Sequence, residues 1–182
     1  MTHIIIKSFN RPYYLDRCLQ SIYKFVKGNF KIIVLDDGTP GKYLNKIKEK
    51  FPSIEIRLSE QYEYKVNAIH ENLENGKEID GFQIPTKLWY DTVKEASDYV
   101  LVTEDDVWFT QEIDLNEYRS AMKKFDLHLL KLGWLGKQEL DLTKFKALKS
   151  NDKILLQKLD DVFISNSWIM DLIFENKFKI YS

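Results

Sequence analysis

The chain has 182 residues, 44% hydrophobic, 30% charged and 14% aromatic, with a formal net charge of −1 at pH 7. That length and balance fit one globular domain with a substantial core; they exclude a disordered chain and, local lysine patches aside, a broadly electropositive surface for nucleic acid. The single cysteine, Cys18, excludes an internal disulfide and fits a reducing compartment.

Ile4 to Lys7 reads as a buried strand, and Ile4-Ile5-Ile6 is too short for the apolar core of a secretory leader. No uninterrupted apolar stretch is long enough to span a bilayer, so a cytoplasmic location is expected, with peripheral membrane contact left open. Pro12 stands where a first helical turn tolerates it and opens an amphipathic run that ends near Gly28. Within that run Leu15, Cys18, Leu19 and Ile22 recur at helical spacing, which makes Cys18 a core thiol. Phe30 to Leu35 is a second strand, broken by the turn-forming residues of Asp36 to Gly41; a helix over Tyr43 to Phe51 and a third strand over Ile54 to Leu58 follow. The polar stretch from Ser59 to Gly81 has no decisive period. Pro85 to Ala96 is helical and leads into a fourth strand over Tyr99 to Thr103.

This β-α-β-α-β rhythm predicts an α/β fold: a mainly parallel central sheet flanked by helices on both faces, with right-handed crossovers. Beyond Phe109 the pattern loosens into a helix over Leu115 to Phe125, a strand over Leu127 to Leu132, and apolar pieces at Ile154 to Lys158 and Val162 to Ile164. No repeat, low-complexity tract or flexible linker divides the chain, so residues 1–182 are expected to form a single domain.

Three polar segments follow predicted strands: Ser8-Phe9-Asn10-Arg11, Asp36-Asp37-Gly38-Thr39 and Glu104-Asp105-Asp106. In open α/β sheets the ligand crevice lies outside the carboxyl ends of the strands, so the three should converge. In extended backbone Glu104 and Asp106 would share one face and Asp105 the other. Crowded carboxylates need a neutralising partner, and an oxygen-only set suits a hard divalent cation that also binds phosphates; a solvated acidic turn is the alternative. A fixed carboxylate such as Asp37 can accept from a donor on a ligand, yet Asp-Asp-Gly is also a common turn. Arg11 and Lys87 could face phosphates or solvent. Trp89, Trp108 and Trp134 could offer flat faces to a sugar or fill the core. His3, His70 and His128 have no ligand spacing, so zinc is not expected.

The blocks Ile4-Ile-Ile-Lys-Ser-Phe-Asn-Arg-Pro12, Leu15, Leu19, Ser21-Ile22, Ile32-Ile-Val-Leu-Asp-Asp-Gly-Thr39 and Glu104-Asp-Asp106 resemble the nucleotide-sugar-dependent glycosyltransferases of the GT-A fold, family 2 in particular. The resemblance implies a Rossmann-like domain that transfers a sugar from a UDP-linked donor to a carbohydrate or lipid-linked acceptor, with inversion, as in polysaccharide biosynthesis. It implies that Phe9 lies along the base, that the backbone around Lys7 contacts it, and that Asp37 accepts from the uracil N–H. Glu104 or Asp105 would approach the ribose, Asp106 would ligate Mn²⁺ or Mg²⁺ in a DxD-type motif, and Arg11 or Lys87 would stand near the diphosphate. Residues 1–110 would bind the nucleotide sugar and 111–182 would form a shortened acceptor side.

Inversion also needs a carboxylate near the acceptor hydroxyl to take its proton. Asp160 and Asp161 are the preferred candidates, with Glu139 and Asp141 behind them. The chain departs from the family between Leu58 and Ile84, where Asn67, Asn72, Asn75 and Gly76 stand in place of a clear Asn/Gly-rich segment with a basic residue. The helix that supplies the base in the family has no clear counterpart. Two other functions compete. A receiver-like phosphate-binding module carries its acid pair after the first strand, whereas here it follows the second; a nucleotidyltransferase needs a Gly-rich phosphate loop where Ser8-Phe9-Asn10-Arg11 stands.

Overall fold

The computed structural model describes residues 1–79, 81–96, 99–130 and 132, together with the backbone of 149–150, 155–156 and 179–181. The elements run β1 (Thr2–Ser8), α1 (Pro12–Phe25), β2 (Val26–Lys27), β3 (Phe30–Asp36), α2 (Gly41–Lys50), β4 (Glu55–Leu58), α3 (Tyr62–Asn75), α4 (Thr86–Glu95), β5 (Tyr99–Glu104), β6 (Ile113–Asp114), α5 (Leu115–Lys124), β7 (Leu129–Leu130), β8 (Lys149–Ser150), β9 (Leu155–Leu156) and β10 (Lys179–Tyr181).

Six strands form one sheet in the order β4-β3-β1-β5-β10-β7, and each neighbouring pair is parallel. The apolar runs explain why β1, β3 and β5 are central. Ile4 and Ile6 point to one face with Ile32, Val34 and Leu101, where α1, α2 and α5 supply Leu15, Leu19, Ile22, Ile47, Leu115 and Met122. Ile5, Ile33, Leu35, Val100 and Val102 point to the other face, against Val93, Leu88 and Trp89 of α4. Both sides of each strand are therefore buried, which is why the sequence shows continuous rather than alternating apolar runs. Each buried Ile or Leu contributes roughly 1.5–3 kcal/mol of transfer free energy.

The predicted fold class is what the structure has, with local differences. Helix α1 ends at Phe25, short of Gly28, because Val26 and Lys27 pair with Ile113 and Asp114. Gly28 then turns the chain at φ +111°, where a Cβ would also press on the Leu115 side chain. The undecided stretch from Ser59 to Gly81 contains α3, a fourteen-residue helix. Within the strand expected over Leu127 to Leu132 the described residues form β7, and within the apolar piece at Ile154 to Lys158 the described residues form β9, antiparallel to β8. Val162 to Ile164 lies outside the described residues. Among the described residues no helix is long and apolar enough to cross a membrane.

Candidate active site

Parallel pairing places the ends of β1, β3 and β5 side by side: Lys7 is level with Leu35 and with Glu104, and Ser8 with Asp36. The loops that leave them are stitched together by backbone bonds, Asp37 N–H to the Ser8 carbonyl at 3.0 Å and Asp105 N–H to the Lys7 carbonyl at 3.0 Å. The three polar segments do meet at one edge of the sheet.

The two acids of the second segment have different roles. Asp36 is fully buried and accepts from Gly38 N–H, Thr39 N–H and the Thr39 hydroxyl at 3.1, 2.8 and 2.7 Å. It holds the turn. Asp37 is left to face elsewhere, and its Oδ2 accepts from the Lys65 ammonium at 2.5 Å while its buried Oδ1 has no hydrogen-bond partner. Phe9, more than a third exposed, lies against the turn; a Cβ on Gly38 would come within 2.9 Å of the Phe9 ring, so only glycine permits this approach. Phe82 meets Phe9 edge-on, with ring centroids 5.6 Å apart.

In the acid triplet β5 stops at Glu104 and the chain turns, with Val107 N–H donating to the Glu104 carbonyl at 3.2 Å. The expected alternation survives: Glu104 and Asp106 are exposed and Asp105 is wholly buried. Their charges are met by the chain's own cations. Lys7 donates to Glu104 at 2.7 Å and lies 4.6 Å from the centre of the Trp89 ring. Arg11 spans the other two, donating to Asp106 at 2.8 Å and standing 2.6 Å from Asp105 Oδ1, an ion pair without hydrogen-bond alignment. Phe9 N–H reaches the other oxygen of Asp105 at 3.4 Å. Burial pushes the Asp105 carboxyl above its usual range, and Arg11 pulls it back only in part. Burial opposes the charge of Arg11 in turn, but Asp105 and then Asp106 outweigh it and raise its pKa.

Lys87 is on the exposed side of α4, paired with Asp91 at 2.8 Å one turn on. Asp160, Asp161, Glu139, Asp141 and Trp134 lie outside the described residues. Trp108 stacks on Tyr14, with centroids 6.0 Å apart, while Trp89 packs against the core. Sequence reasoning missed Lys65. It sits one turn after Tyr62 and one before Ile69 on the inward stripe of α3, and a lysine at such a position was the signal available.

Cys18 lies under the triplet, its thiol 3.7 Å from the Glu104 carbonyl. Burial, followed by the charges of Asp105 and Asp106, pushes its pKa up to about 12. The thiolate is the reactive form, so thiol–disulfide exchange at pH 8 is expected to be at least about a hundredfold slower in the native chain than in urea. A thiol-exchange assay with a chromogenic disulfide checks this; comparable rates would mean that α1 opens readily.

Residues 3–77 match the family model described as glycosyl transferase family 2. Among solved structures, S. aureus TarS superposes with a TM-score of 0.54 at 16% identity, covering 80% of this chain and 24% of that one. Residues 3–77 thus resemble glycosyl transferase family 2, and the chain shares the α/β fold of TarS. TarS 1–349 in complex with UDP superposes with a TM-score of 0.50 at 17% identity, covering 80% of this chain and 39% of that one. This chain spans well under half the length of the TarS structures it matches. The sequence has no match among curated proteins.

Proposed function

We propose that the chain binds a nucleoside diphosphate sugar, a UDP-sugar, and transfers its glycosyl group with inversion to a carbohydrate or lipid-linked acceptor. The observation that carries this reading is the buried, unpartnered Oδ1 of Asp37 beside Phe9, at the strand edge where the acid triplet also lies. A buried acceptor without a donor is an unmet hydrogen-bonding demand, and the ring N–H of uracil satisfies it. The Phe9 ring is the side chain a base would stack on or move aside. UDP is also the ligand of the TarS 1–349 complex that shares the fold.

Among the described residues no group of three or more His, Cys, Asp or Glu side chains could hold a metal ion alone. The exposed carboxylate of Asp106, a hard oxygen donor, would hold a Mn²⁺ or Mg²⁺ ion beside the diphosphate. When bound, such an ion neutralises the charge that grows on the departing nucleoside diphosphate. Arg11 balances Asp105 and Asp106 in the free chain, while Glu104 or Asp105 approaches the ribose. In this reading residues 1–110 hold the donor, and residues 111–182 form the acceptor side with Asp160 or Asp161 as the base. Calorimetry with UDP in Mn²⁺ should give a saturable heat that falls sharply once a chelator is added. Equal affinity with chelator removes the ion from this reading, and no binding in either buffer removes the nucleotide.

A further inference from the structure

Lys65 is 1% exposed and is the largest side chain buried so completely among the described residues. Its ammonium donates to Asp37 Oδ2 at 2.5 Å and to the Gln83 carbonyl at 2.6 Å, and it lies 5.9 and 5.7 Å from the ring centres of Phe9 and Phe82. A buried ion pair is seldom more stabilising than an apolar pair of the same size, so packing alone does not account for a lysine on the inward stripe of α3. What the lysine does is occupy one oxygen of Asp37 and leave the other open.

We infer that Lys65 is a positioning residue that makes Asp37 an acceptor-only reader of the nucleobase, selecting uracil over cytosine. This rests on the nucleotide site proposed above. Uracil presents an N–H at the ring position where cytosine presents a lone pair. Against a carboxylate oxygen with no proton the first forms a charge-assisted hydrogen bond and the second meets lone pair with lone pair, so the discrimination includes a repulsive element. Without Lys65 the carboxylate loses the partner that fixes its rotation, so neither oxygen is held towards the base and the discrimination is lost. The tie to Gln83 also fixes the segment that carries Phe82 against Phe9.

The test is the ratio of UDP to CDP affinity, measured by calorimetry on the full chain in Mn²⁺ for the parent, Lys65→Met, Asp37→Asn and the double variant. The parent should favour UDP by about a hundredfold, and Lys65→Met, its fold checked by circular dichroism, should lower that ratio by about tenfold or more. In the Asp37→Asn background Lys65→Met should leave the ratio unchanged, because the lysine acts through the carboxylate. Should Lys65→Met not fold, the comparison of Asp37→Asn with the double variant, which lacks both charges, decides alone. A Lys65→Met chain that keeps the parental ratio overturns the inference, as does a double variant whose ratio differs from that of Asp37→Asn. A parent that binds neither nucleotide overturns the nucleotide site instead.

Discussion

Asp37→Ala is expected to destabilise the folded chain by about 3–5 kcal/mol, since it strands the Lys65 ammonium at a position 1% exposed. The Gln83 carbonyl is a dipole and offsets only part of a full charge. Adding Lys65→Met to Asp37→Ala should recover most of the loss, because removing both members of a buried pair is commonly near neutral. Urea unfolding followed by tryptophan fluorescence measures both. A loss below about 1 kcal/mol, the range of exposed pairs, would mean that Lys65 reaches water in solution and that the clamp on Asp37 is loose. The same experiment on the salt bridge between Lys87 and Asp91 should show no measurable change, as expected for a solvated pair on one helix face.

The central sheet was legible because Ile4 to Ile6, Ile32 to Leu35 and Val100 to Val102 are apolar at successive positions, which only strands covered on both faces require. Convergence of the three polar segments followed from parallel topology, since successive strands separated by crossovers must all end at the same edge. The partners of the acids were not legible. Lys7 and Glu104 are 97 residues apart and Arg11 and Asp106 are 95 apart, so no local pattern joins them; only the register of β1 against β5 does. The division between Asp36 and Asp37 was hidden for a different reason. Both are acids in one turn, and which of them faces Thr39 depends on where β3 stops. Lys65 was hidden because α3 has few strongly apolar residues on its inward face, so the helix itself was undecided and a buried charge on it could not be recognised. The candidates for the base, Asp160 and Asp161, lie where the periodicity had already weakened.

Asp106→Ala is expected to remove the part of UDP binding that depends on a divalent ion, a loss on the order of a hundredfold in affinity in Mn²⁺ and little change in chelator. Neither neighbour can replace it: Asp105 is buried against Arg11 and the Phe9 amide, and Glu104 is drawn towards Lys7 and the α4 side of the sheet. Asp106 is the acid with an exposed carboxylate whose ion-pair partner, Arg11, is itself two-fifths exposed and can swing away. That geometry sets Arg11 in competition with the ion for one carboxylate. Arg11→Met should therefore tighten the binding of Mn²⁺ alone, read from the free-ion signal in electron paramagnetic resonance, and weaken UDP binding in chelator, where on the proposed reading the guanidinium would face the phosphates. Chelator-sensitive UDP binding that persists in Asp106→Ala would move the ion to other ligands, and unchanged Mn²⁺ affinity in Arg11→Met would show that the arginine and the ion do not share Asp106.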